Sequence, residues 1–288
     1  MKQTFYSLCS LLLIVVFLDA CKKHPSPIPG HGKCPEAADC QLQTMHVSNW
    51  RGFPYVNGPT FNAQVRRDAQ QKPIWFKGHP THFTGPMNCL ITYHGRQLKF
   101  IDSISGKLVA DVWLNDCGQP DSSAFYAPDE PSNGLTPHKT KYHYHHKQLS
   151  GWTNYAWDNP PSEEHVTRDQ HGNVTRLGND NNYVSYTYDL SKPAGKARFL
   201  HCNYYSPAWT LPLTLEYLGF LQIGSKHLPN HSESWGGGYR FSTVDFSNFV
   251  ISGDKIHAYD VTDGYFGPNG TLLYTVSMTW NCRGGGKW

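Results

Sequence analysis

The sequence predicts an all-β fold, mainly an antiparallel sheet of stacked hairpins, with one short covering helix near residues 211–223. Three observations point there. Residues 273–282 alternate strictly, with Tyr274, Val276, Met278 and Trp280 on one face and Thr275, Ser277, Thr279 and Asn281 on the other. That period of two marks a half-buried antiparallel strand. Short apolar runs are separated by turn signals such as Ser105-Gly106, His171-Gly172-Asn173 and Pro268-Asn269-Gly270, the residues that hairpin connections need. Finally, 26 Gly and 20 Pro in 288 residues leave few uninterrupted runs for long helices.

At the N-terminus, Lys2 precedes a mostly apolar stretch over residues 5–18. It has the form of a signal-peptide core and is too short for a comfortable membrane span. Leu18-Asp19-Ala20-Cys21, followed by Lys22, Lys23 and Pro25, Pro27 and Pro29, resembles a bacterial lipobox. The resemblance implies that Cys21 carries lipid and becomes the mature N-terminus. It also implies an exported chain of the bacterial cell envelope, anchored by that lipid to the outer membrane. Residues 1–20 are therefore expected to be the signal peptide and 21–44 a Pro-rich tether. Residues 45–288 are expected to form a single β-rich domain, since a chain of this size can bury roughly 70–75% of its extended surface in one core.

Within that domain, strands are predicted at 90–93, 98–101, 108–114, 141–145, 166–168, 183–190, 239–245, 249–252, 255–259 and 273–282, each rich in β-favouring residues. Residues 211–223 break the pattern, being apolar at Leu211, Leu215, Leu218 and Phe220, and read as a helix covering a sheet face or edge. An internal repeat is visible. Tyr93-His94-Gly95-Arg96-Gln97-Leu98 matches Tyr144-His145-His146-Lys147-Gln148-Leu149, and each is followed by an Asp-centred turn, around Asn115-Asp116 and Asp169. An earlier turn, Arg67-Asp68-Ala69-Gln70-Gln71, keeps the register without its glycine.

Arg168-Asp169-Gln170-His171-Gly172-Asn173-Val174, followed by Tyr186-Thr187-Tyr188-Asp189, resembles the hairpins of YD-repeat (RHS-type) sheets. With the lipobox, and with Leu215-Glu216-Tyr217-Leu218-Gly219 before Ser225-Lys226-His227-Leu228-Pro229, the chain is similar to uncharacterised lipoproteins of Bacteroidota. The resemblance implies a β-rich exported protein and brings no catalytic residues with it.

Composition narrows the function. Lys and Arg number 25 against 22 Asp and Glu, so there is no electrostatic footprint for nucleic acid. Setting aside Cys9 in the signal and Cys21, the cysteines are Cys34, Cys40, Cys89, Cys117, Cys202 and Cys282, an even set that suggests disulfides in an exported chain. Cys34 and Cys40 are close enough to clip a small loop, but the pairing is open. No CxxC supports a zinc ribbon or a thioredoxin-type site.

Hydrolase signatures are absent: there is no G-x-S-x-G, H-E-x-x-H or S-x-x-K. Glu163-Glu164 reads as a loop pair that would diverge, and Ser234-Trp235-Gly236-Gly237-Gly238 as a mobile turn. The rings of Trp152, Tyr155 and Trp157 sit between Gly151 and Pro160-Pro161 and read as a loop surface that could stack on sugars. Sixteen histidines invite a metal reading. His143 and His145 share a strand face, and His94 aligns with His145 in the repeat, so a Zn²⁺ or Cu²⁺ site would use these three. The leading expectation is a binding or structural module of the envelope without a cofactor. Its partners would be the membrane through lipid and a glycan or envelope protein. The alternative is a metal-dependent or carbohydrate-active enzyme with a His-lined site.

Overall fold

The computed structural model describes residues 40–48, 62–78, 87–126, 137–155, 160–195, 199, 210–253, 255–264 and 271–282. In chain order the strands are β1 (Cys40–Ser48), β2 (Ala63–Arg67), β3 (Pro73–Gly78), β4 (Met87–His94), β5 (Gln97–Asp102), β6 (Leu108–Leu114), β7 (Pro120–Phe125) and β8 (His138–His145). Then come β9 (Gln148–Tyr155), β10 (Ser162–Arg168), β11 (Val174–Gly178), β12 (Asn182–Pro193), helix α1 (Thr210–Leu218), β13 (His227–Gly236), β14 (Tyr239–Ser252), β15 (Lys255–Asp263) and β16 (Leu272–Cys282). Every strand pairs antiparallel with its chain neighbours, and β1 pairs with β16, so the sheet closes into a 16-strand barrel. The expected stack of YD-type hairpins is thereby corrected. The hairpins exist, but they form a closed ring with no free edge. Closure removes the unpaired backbone that an open stack exposes.

The seam between the first and last strands is locked covalently. Cys40 faces Cys282 in the β1–β16 register and the two form a disulfide across 242 positions of chain. The anticipated Cys34–Cys40 clip is thus replaced by a bond between the ends of the barrel. β1 also begins inside the stretch assigned to the tether. Cys117 is disulfide-bonded as well, and Cys89 is a buried free thiol. Residues 1–39, with Cys21 and Cys34, and Cys202 lie outside the described residues.

Each strand sends alternate side chains inward, as the pleat dictates. Met45, Val47, Ala63, Val65, Phe76, Cys89, Ile91, Leu98, Phe100, Val112, Leu177, Val184, Tyr259 and Val276 are buried in one continuous core. Their neighbours along the strands point outward and are polar: Gln64, Arg66, Lys77, Thr92, Lys99, His143, Glu163, His165, Thr187 and Glu233. A membrane-spanning barrel has the opposite arrangement, an apolar band outside and polar groups inside. Strands of 5 or 6 residues such as β2, β7 and β11 are also shorter than the roughly 9–11 residues a spanning strand needs.

Helix α1 forms where the sequence places one and packs on the inner face of the sheet: Leu211, Leu213, Leu215, Tyr217 and Leu218 are all buried in the core shared with the strands. It is buried on every side, Thr214 and Glu216 included, as a helix in an interior is. Thr214 Oγ1 approaches Met87 Sδ at 3.8 Å, and Arg67 Nη2 donates to the Leu218 carbonyl at 3.0 Å, both from inward positions of the wall. Arg168 on β10 acts similarly on the chain after the helix, with Nη2 donating to the carbonyls of Gln222 (2.8 Å) and Ile223 (3.1 Å). Each arginine also holds its own turn, Arg67 through the Gln71 carbonyl and Arg168 through the Gly172 carbonyl. Arg67 thereby satisfies a carbonyl at the end of α1, where a cation is also favoured by the helix dipole, and Arg168 ties down the segment that follows.

The repeat seen in the sequence is a four-strand unit. Tyr93 of β4 donates from its hydroxyl to the Pro73 carbonyl, Tyr144 of β8 to that of Pro120, and Tyr188 of β12 to that of Val174. Trp280 of β16 completes the set, its Nε1 donating to the Ile256 carbonyl. The turns that precede β3, β7 and β11 also match. Oδ1 of Asp68, Asn115 or Asp169 accepts the backbone N–H groups two and four residues on. The left-handed position of this turn is Gly118 or Gly172 in two copies, and Gln71 takes it in the first with φ 65°.

Candidate functional site

The outer wall carries a concavity of about 860 Å³ on β6–β9. Ligand pockets typically span roughly 300–1,000 Å³. Register builds it in two rows. Trp113, Ser122, Lys141 and Thr153 face one another across β6, β7, β8 and β9. In the adjacent row stand Asp111, Ala124, Lys139 and Tyr155. Trp113 and Tyr155 occupy opposite corners, 40% and 47% exposed. Three strand spacings separate their strands, about 14 Å. The small side chains of Ser122 and Ala124 leave the floor low between them.

Polar groups fix the rim. Lys141 Nζ lies 2.7 Å from Asp121 Oδ2, with both side chains about half exposed. At that exposure the pair is worth at most about 1 kcal/mol, so it orients donor and acceptor more than it stabilises the barrel. His143 Nε2 and Thr153 Oγ1 are 2.7 Å apart just below, and Gln97 Nε2 donates to Asp111 Oδ1 at 2.9 Å. The groove therefore offers ammonium and hydroxyl donors, a carboxylate acceptor and two large rings. That is a set for binding.

Of the rings expected on a loop surface, the structure separates the two it describes. Residues 148–155 form strand β9, not a loop. Trp152 points inward and is completely buried, Tyr155 points outward into the groove, and Trp157 lies outside the described residues. Glu163 and Glu164 are likewise on a strand, β10, with Glu163 outward and Glu164 buried, where Ser162 Oγ and Asn179 Nδ2 both donate to its Oε1 at 3.0 Å. Residues 234–238 are the end of β13 and a tight turn, with Trp235 stacked on Tyr183.

The three histidines proposed for a metal do not converge. His143 and His145 share the outer face of β8, but His94 is on β4, four strand spacings and about 19 Å away. His143 is engaged with Thr153, and the ring of His145 packs on that of His146 at 4.1 Å. Among the described residues no cluster of three or more His, Cys, Asp or Glu could hold a metal.

Sequence reasoning did not single out Trp113. Its signal was present, since in the run 108–114 this ring falls on the face opposite Ala110 and Val112, the polar side of the strand. What the run could not reveal is that β6 and β9 bracket one trough.

No known protein-family model matches the chain, and neither does any curated protein. Solved structures do share its fold. A porin-like protein from Bacteroides uniformis matches with TM-score 0.59 at 12% identity, covering 83% of this chain and 98% of its own. A porin-like protein from Bacteroides vulgatus matches with TM-score 0.53 at 13% identity, covering 84% of this chain and 98% of its own. At such identity the likeness is one of fold alone.

Proposed function

We propose that this chain is an exported binding or structural module of the cell envelope, whose barrel is a packed scaffold and not a pore. One observation carries the reading: the wall is apolar inside and polar outside. Side chains such as Leu98, Phe76 and Trp152 have no exposed surface, so their side of the wall lines no aqueous channel. The outer wall in turn offers lipid no continuous apolar band among the described residues. The porin-like neighbours support an envelope location, to which the lipobox adds an anchor through Cys21. The ligand-contact surface on this reading is the groove between Trp113 and Tyr155.

Planar-bilayer recording tests it. Purified mature protein added to a bilayer should give no conductance steps at any voltage, whereas reproducible single-channel steps would overturn the reading.

A further inference from the structure

We propose that the groove on β6–β9 binds an uncharged glycan chain. This rests on the reading of the barrel as a binding module and names the ligand of that same surface. The argument begins with charge. Lys139 and Lys141, with Lys99 beyond Asp111 on β5, stand among Asp111, Asp121 and Glu163 on the wall from β5 to β10. Positive charge is not in excess, so an acidic polymer finds no net attraction here. The Lys141–Asp121 pair instead presents a donor and an acceptor side by side, the arrangement that neighbouring sugar hydroxyls satisfy in both directions.

Shape and ring placement agree with charge. Ser122 and Ala124 keep the floor shallow, so an extended chain can lie across the strands. The rings of Trp113 and Tyr155 stand at the two ends, about 14 Å apart across the strands, where each can meet the apolar surface of a sugar ring. Both rings are outward and partly exposed, and neither belongs to the buried core. The site can therefore be altered without disturbing the barrel.

Affinity electrophoresis of the full mature chain tests the assignment, with dextran, mannan, xylan or galactan in the gel and polygalacturonate as the acidic counterpart. At least one neutral polymer should retard the protein, and the retardation should persist at about 0.5 M salt, where surface charge is screened. Trp113→Ala and Tyr155→Ala should each weaken it about tenfold with an unchanged thermal midpoint. Tyr239→Ala, an exposed ring on distant β14, should leave it intact. The proposal is overturned if no neutral polymer retards the chain. It is equally overturned if only polygalacturonate does so and salt abolishes the effect, or if Trp113→Ala binds as the parent does. Because conductance is read separately, failure here in a non-conducting protein removes the ligand and leaves the scaffold reading standing.

Discussion

Arg67 and Arg168 point into an apolar barrel, where each guanidinium donates to backbone carbonyls. Burial pulls the Arg67 guanidinium down to about 10, which still leaves it charged at neutral pH. Replacing such a group with an apolar one leaves its acceptors stranded, which costs more than the bond itself contributes. Arg168→Met removes the donor to the carbonyls of Gly172, Gln222 and Ile223, and should lower stability by about 2–3 kcal/mol, read from urea midpoints at constant m-value. Arg168→Lys should recover part of the loss, since one ammonium can still reach some of the same oxygens. An unchanged midpoint in Arg168→Met would show that these carbonyls do not depend on the guanidinium.

At the scale of elements, the four-strand unit explains why only parts of the fold were legible. Strands with clear alternation, β12 and β16, stood out because the inner and outer faces differ in polarity. β9 did not, because Gly151 and Asn154 interrupt the pattern. The Gly151 site nevertheless requires glycine, since a Cβ there would lie 2.2 Å from the Glu164 carbonyl oxygen of β10. β14 was read as two pieces because it carries an irregularity near Asn248, which takes φ 50° within a continuous strand. Helix α1 was legible as a helix on a sheet face, but not its burial on every side, with Leu213, Thr214, Glu216 and Tyr217 also covered. The hairpins and the repeat are present, but not as a YD-repeat sheet. Closure was not legible, because pairing β1 with β16 is a contact between chain ends that no local period encodes. The β8–β9 turn allows a direct check. His146 and Lys147 take φ 47° and 65°, left-handed values that Asn and Gly adopt with less strain. His146→Asn with Lys147→Gly should stabilise the protein by about 1 kcal/mol, seen as a higher urea midpoint.

For the whole molecule, the disulfide between the first and last strands and the buried tyrosines set the limits of stability. Closing 242 positions of chain removes about 5 kcal/mol of unfolded-state freedom in the loop-entropy account, so reduction should weaken the seam of the barrel first. Burial holds the pKa of Tyr93, Tyr142, Tyr144 and Tyr188 well above that of free tyrosine, and pushes the Cys89 thiol up to about 12, with Asp102 adding to it. In these groups the neutral form is favoured by the fold. Between about pH 9 and 12 the unfolded chain therefore holds fewer protons than the native one, and stability falls as pH rises. Stability is expected to be flat with respect to these groups below about pH 8, followed by cooperative alkaline unfolding, with tyrosinate absorbance at 295 nm and loss of β circular dichroism appearing together. The wall polarity that underlies the functional reading has its own direct measurement. A Cys21→Ser form, secreted without lipid, can be weighed by sedimentation with and without detergent. The account expects a folded protein that stays dispersed in plain buffer and binds no detergent belt. A barrel that precipitates without detergent and sediments with a micelle's mass around it would contradict the inside-apolar, outside-polar wall on which everything else is built.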